Sequence, residues 1–287
     1  ATSPIAEAPQ PRIPDHLAQA EALLNQLPES LLKVAKSPVG AIAITYGLLL
    51  SSNTEIRTQQ QQIIAAQSAN IWKAIEKIEP SLVAVNRRSR LPLVELCIPA
   101  LSSLYPERAT QFIKCVRTLS QAHGKRSLST YAFTTVLHHR LAPHFITEPL
   151  PAPTIHSVSA VASECQLLLS ALAKTGHNRS SDADYAFRCG HSQFDKQDRA
   201  AVSTELVNGS FAELDKALRR LRLATPGVKG AIATACTHTV LANGQTTDAE
   251  AELLRAILVV LACPLPPCID RVVVSKSAKS VVSHRAA

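Results

Sequence analysis

Apolar residues recur every three or four positions along most of the chain, and the two-residue alternation typical of strands is nearly absent. Near the start, Leu17, Ala20, Leu24 and Leu27 form one apolar stripe. The same spacing predicts further helices over residues 55–78, 91–104, 107–121, 128–141, 157–174, 182–189, 211–223, 228–241 and 248–262. The pattern therefore predicts an all-α fold.

A proline-rich stretch divides this series of helices. PLPAPT, at residues 149–154, follows Pro143, and proline both removes a backbone donor and resists helix formation. The length of 287 residues suits two domains at roughly 150 residues each. We predict a linker at 1–14, a helical domain at 15–148, a proline-rich linker at 149–156, a second helical domain at 157–268 and a flexible, basic tail at 269–287.

One segment of each predicted domain resembles the other. QAHGKRSLSTYAFTTVL, at 121–137, aligns without a gap with LANGQTTDAEAELLRAI, at 241–257. Gly124 and Gly244 are suited to the left-handed conformation that closes a helix. Ser127 and Thr247, three residues later, are placed to cap the next helix. We therefore expect the same helix-turn-helix unit once in each domain.

The second turn has two interpretations. Thr247 and Glu250 have the spacing of a capping box, in which each side chain binds the backbone amide of the other residue. Alternatively, Asn243, Asp248, Glu250 and Glu252 form a weak cation site. Leucine at 241 supplies no side-chain oxygen where a calcium loop needs an early ligand. The sequence favours the cap.

Composition narrows the functional classes. The chain carries a net charge of +8, with arginine clusters at 87–90 and at 219–222, but aromatic residues make up only 4%. Single-stranded nucleic acid needs aromatic stacking partners as well as cations, so no nucleic-acid partner is expected. We interpret both arginine clusters as solvated helix faces, and His138, His139 and His144 as an exposed helix end.

The residues needed for common catalysis are also missing. None of the ten histidines is followed by glutamate, so there is no HExxH motif, and we expect neither catalysis nor a cofactor in this chain itself. The seven scattered cysteines are an odd number and do not indicate a disulfide framework. The most apolar run, at 39–50, is shorter than the roughly 20 residues that span a bilayer and predicts a buried core helix.

Four segments carry a resemblance to a known family: LANGQTTDAEAELLRAILVVLACPLPP, SPVGAIAITYGLLLSSNTEIRTQQ, RLPLVELCIPAL and FAELDKALRRLRLATPGVKGAIATAC. They resemble the C-terminal extension of bacterial membrane zinc metallopeptidases of the HtpX and CaaX-prenyl-protease family. The helices of that extension are similar to those of the tellurite-resistance protein TerB. The turns depart from the TerB pattern of Ala-Asp-Gly, because His123 and Asn243 stand in place of the aspartate.

The resemblance implies a non-catalytic accessory region with two TerB-like domains. Its partners would be the peptidase domain of the same polypeptide or the protein substrates of that peptidase. Zinc would belong to the peptidase domain, which this chain lacks. The region would be soluble at the cytoplasmic face of the bacterial inner membrane, reaching the membrane only through segments outside this chain. The alternative is a free-standing helical module for protein interaction or cation binding, unrelated to proteolysis.

Overall fold

The computed structural model describes residues 25–122, 124, 127–145 and 152–266. Thirteen α-helices lie in these ranges, which contain no β-strand, only an isolated parallel bridge between Ile155 and Ala224. The prediction of an all-α fold is confirmed. The predicted linker at 1–14, the apolar stripe before Leu27 and the tail at 269–287 lie outside the described residues.

Seven helices belong to the first half of the chain. They are α1 Glu29–Val34, α2 Pro38–Leu49, α3 Thr54–Gln67, α4 Ala69–Val83, α5 Arg87–Ser102, α6 Pro106–Gln121 and α7 Leu128–Phe145. The single helix predicted over 55–78 is wrong, because Ser68 adopts an extended conformation (φ −164°, ψ 111°) and separates α3 from α4. Helix α7 continues through Pro143, so it is longer than predicted.

Six helices belong to the second half, preceded by a short 3₁₀ turn at Ser159–Val161. They are α8 Ala162–Gly176, α9 Ser180–His191, α10 Lys196–Ala201, α11 Phe211–Leu221, α12 Pro226–Val240 and α13 Asp248–Leu261. The described part of the predicted proline-rich linker packs on this half. The amides of Thr154 and Ile155 donate to the Leu223 carbonyl at 2.8 and 3.1 Å, and the Ile155 side chain is buried.

One helix-turn-helix unit recurs in the two halves. Helices α6 and α12 both begin with proline at the first position, where the missing N–H leaves no helical bond unmade. Each is followed by a glycine with positive φ, +69° at Gly124 and +71° at Gly244, as the aligned turns predicted. Helices α7 and α13 then start at residues 128 and 248, so the second copy keeps the register of the alignment.

Two apolar clusters form the core. One is built around α2, which is buried on most of its surface, as predicted for residues 39–50. The other is built around α8. Helices α7 and α13 pack against each other and connect the clusters: Tyr131 of α7 lies in the second, while Ala256 and Val259 of α13 lie in the first. In the described part of the chain, no helix is long and apolar enough to cross a membrane.

Candidate functional site

The turn before α13 contains a capping box. The Thr247 Oγ1 accepts a hydrogen bond from the Glu250 amide at 3.2 Å, and Glu250 Oε2 accepts from the Thr247 amide at 2.8 Å. The first copy of the turn has half of this arrangement, because Ser127 Oγ accepts from the Thr130 amide at 3.1 Å and threonine cannot complete the box. Thr247 and Glu250 thus close the start of α13.

The other predicted cation ligands meet different partners. Asp248 Oδ1 accepts from Arg88 Nε at 2.7 Å, and both oxygens of Glu252 accept from Arg87. Asn243 Oδ1 accepts from the amide two residues later at 2.9 Å. No group of three or more metal-binding side chains converges among the described residues. Oε1 of Glu250 is buried without a hydrogen-bond partner, so a cation site at this turn stays a prediction.

The first arginine cluster lies between the two halves. The Arg88 side chain is only 10% exposed and is paired with Asp248, so the solvated-face interpretation is wrong for it. On the same contact, Glu95 of α5 accepts from Arg255 of α13 at 2.9 Å and from Arg140 of α7 at 3.0 Å. These ion pairs join α5, α7 and α13.

The second arginine cluster has a different environment. Arg219 and Arg222 line a cavity of about 550 Å³ formed by α6, α7, the end of α11 and Val260 of α13. We call this cavity the cationic cleft. Its other charged or titratable lining residues are Arg117, His138, His139 and Asp215. Its apolar lining residues are Ile113, Val116, Leu137, Leu141, Leu218 and Val260.

The local sequence explains how α11 presents its arginines. A capping box of Ser210 and Glu213 fixes the start of the helix. The helix buries Leu214, Leu218 and Leu221 on its inner side, so its last turn carries the basic residues outwards. Arg220 points elsewhere and is paired with Glu164. Cations at this end also interact favourably with the helix dipole.

Helix α7 supplies the two histidines from its middle, not from an exposed end. The sequence predicted that this helix ends at residue 141, whereas in the structure it ends at Phe145. His139 is half-buried on the cleft wall, and His138 beside it is more exposed but still partly covered by the surrounding protein. The sequence analysis also did not identify Arg117, on α6, as a candidate binding residue. No spacing along the sequence connects these residues, because they come together only when α7 packs beside α6 and α11.

The cleft is electropositive. Arg117, Arg219 and Arg222 make no hydrogen bond or ion pair with any described residue, and Asp215 is the single carboxylate among the described lining residues. Burial lowers the pKa of His138, and Arg222 and Arg117 lower it further, partly offset by Asp215. Burial, His138 and Arg222 lower the pKa of His139 to about 4. Both imidazoles are thus neutral near pH 7, and the arginines provide the positive charge.

This arrangement suits an anionic ligand with an apolar part. Guanidinium groups bind carboxylates and phosphates through paired N–H donors, and the apolar lining can cover the rest of a ligand.

A scan against protein-family models matched no family, and searches of curated proteins and of solved structures found no match.

Proposed function

We propose that the chain is a non-catalytic binding module whose cationic cleft holds an acidic segment of a protein partner. The observation that carries this proposal is the set of three guanidinium groups that line one cavity without carboxylate partners among the described residues. Elsewhere in the chain, Arg87, Arg88 and Arg220 are each paired with a carboxylate. The cleft therefore brings together, around one cavity, three arginines that have no ion-pair partner among the described residues.

Size and lining support the same proposal. A volume of about 550 Å³ lies within the range of roughly 300 to 1,000 Å³ that is usual for ligand pockets. An acidic side chain would pair with Arg219 or Arg222, while a neighbouring apolar side chain would pack on Leu137, Leu141 or Leu218. Such a ligand matches the cleft in both charge and polarity.

The sequence resemblance adds a setting for this module. In that setting the chain is an accessory region of a membrane-associated zinc metalloendopeptidase, and the acidic segment belongs to its peptidase domain or to a protein substrate. This part of the proposal rests on the sequence alone. An HExxH-bearing, membrane-spanning segment upstream in the same reading frame supports it, whereas its absence from a complete reading frame favours a free-standing interaction module.

Binding is tested with a fluorescein-labelled peptide of alternating glutamate and leucine, followed by fluorescence anisotropy. Arg222→Glu reverses the charge in the cleft, and we expect at least about a tenfold weaker Kd, since a hydrogen bond to a charged group is worth about 1.5 to 3 kcal/mol. Lys216→Glu is the matched control: it makes the same charge change on α11 at an exposed residue outside the cleft.

The control should bind like the unchanged protein at 150 mM salt, where exposed charges are largely screened. Equal weakening by both variants would show nonspecific attraction to a basic protein and would overturn the proposal. Unchanged binding by Arg222→Glu, with an unchanged melting temperature, would also overturn it.

A further inference from the structure

We propose that the anion selected by the cationic cleft is a phosphate monoester carried on a partner segment, rather than a carboxylate. This inference rests on the proposed function and specifies its ligand. It concerns the three arginines and two histidines of the cleft, which come from α6, α7 and the end of α11.

The charge of the lining matches a dianion. Three guanidinium charges against the single carboxylate of Asp215 leave the described lining with a net charge of +2 while His138 and His139 are neutral. A glutamate or aspartate side chain neutralises one of these charges. A phosphate monoester carries a charge of roughly −1.5 to −2 at pH 7 and neutralises nearly all of it.

The donors also exceed what a carboxylate can use. Arg117 lies on α6 in the first half, whereas Arg219 and Arg222 lie on and just after α11 in the second half. Each guanidinium offers a planar fork of N–H donors, and each neutral imidazole keeps one N–H. A carboxylate has two oxygens in one plane. A phosphate monoester has three terminal oxygens arranged tetrahedrally, so donors from different helices can reach separate oxygens.

Three arginines lie at the end of α11, and their different partners define the site. Arg220 is paired with Glu164 and also donates to the Ala160 carbonyl at 2.9 Å, so its charge is already used. Arg219 and Arg222, three residues apart, occupy the side of the helix end that lines the cleft. Arg219 and Arg222 can therefore donate to a ligand, whereas the guanidinium of Arg220 is bound within the protein.

The experiment compares three labelled peptides that differ only at one central residue, flanked by leucines: serine, glutamate or phosphoserine. We expect the phosphoserine peptide to bind at least about tenfold more tightly than the glutamate peptide. The serine peptide should bind least. Arg222→Lys keeps the positive charge but loses the paired N–H donors of the guanidinium, so the preference for the phosphoserine peptide over the glutamate peptide should become smaller. Lys216→Glu should leave this preference unchanged. Melting temperatures of all variants check that each is folded.

The outcomes separate this inference from the proposed function. Equal binding of the glutamate and phosphoserine peptides, both lost in Arg222→Glu, would overturn the phosphate preference and keep the acidic-segment proposal. Inorganic phosphate and phenyl phosphate are added as competitors. If either competitor displaces the phosphoserine peptide at concentrations as low as the Kd of that peptide, the ligand is free phosphate or a small organic phosphate. That result would overturn a site for a phosphate on a partner segment.

Discussion

Arg87 and Glu252 are 165 residues apart in the sequence, yet Nε and Nη2 of Arg87 donate to the two carboxylate oxygens of Glu252 at 2.9 and 2.7 Å. The pair joins α5 in the first half to α13 in the second. Its partners are unequally buried: the side chain of Arg87 is 43% exposed, and that of Glu252 is 5% exposed. Ser129 of α7 also donates to Glu252, at 3.1 Å.

This unequal burial predicts unequal costs of mutation. Arg87→Ala leaves a buried carboxylate with little compensation, and we expect the free energy of unfolding to fall by about 3 kcal/mol. Glu252→Gln leaves an arginine that water can still hydrate, so we expect a loss of about 1 kcal/mol. Urea denaturation measures both.

The exposed pair of Lys33 and Glu29 provides the control, since Lys33→Ala should cost less than about 0.5 kcal/mol. If the two variants of the buried pair lose the same stability, burial does not determine its energetics.

A second prediction separates the cap from the cation site. Thr247→Ala removes the hydroxyl that accepts from the Glu250 amide, and we expect a loss of about 1 kcal/mol with or without divalent ions. Thr246→Ala is the adjacent control and should change stability little. We expect no shift of the melting temperature in millimolar calcium or magnesium, because Asp248 and Glu252 are paired with arginines. An upward shift that disappears in Asp248→Asn would establish a cation site.

The fold class and the repeated turns were predictable because their causes are local. A helical stripe needs only the spacing of apolar residues, and the turns at Gly124 and Gly244 need only a glycine where φ is positive. The capping box of Thr247 and Glu250 joins two residues that are only three positions apart. Each of these features is determined within one or two helical turns.

The cationic cleft was not predictable for the opposite reason. Arg117, His139 and Arg222 lie on different elements, and only tertiary packing brings them together. The roles of the two arginine clusters also depend on packing. Arg88 and Arg222 look alike in sequence, but Arg88 faces Asp248 across the contact between halves, whereas Arg222 faces a cavity. The predicted division into two domains stays a prediction, since α7 and α13 each contribute to both apolar clusters.

A third prediction concerns pH. The pKa of His139 falls from 6.5 to about 4 on folding, so the unfolded chain binds a proton more readily than the folded one. The contribution of the neutral His139 imidazole to the free energy of unfolding is therefore present in full above pH 6.5. It is lost as pH falls towards 4, because protonation of the imidazole then favours the unfolded chain. His139→Gln should therefore flatten the decline of stability over this window, by about 1 to 3 kcal/mol at roughly 1.4 kcal/mol per pKa unit. Urea denaturation at pH 7.5, 5.5 and 4.5 measures the slope, and an unchanged slope would contradict the assignment.

The close contact of α9 with α12 provides the last prediction, which rests on two glycines. A Cβ added at Gly190 would lie 1.9 Å from Thr239 Oγ1 and 2.5 Å from the Ala235 carbonyl oxygen, which are distances that atoms do not tolerate. Thr239 is fully buried and donates to that same carbonyl at 3.0 Å, so it has little room to move. Gly190→Ala should cost about 2 to 3 kcal/mol, the usual effect of overpacking a core.

Gly230, within α12, is the matched control, because a Cβ there would meet nothing within 4 Å. Gly230→Ala should instead stabilise the chain by about 0.5 to 1 kcal/mol through helix propensity. The double variant Gly190→Ala with Thr239→Ala should recover only part of the loss, since the Ala235 carbonyl is backbone and remains in the way. Complete recovery would show that the hydroxyl alone sets the distance between the helices. Equal melting temperatures for the two single glycine variants would show that α9 and α12 are not in this contact.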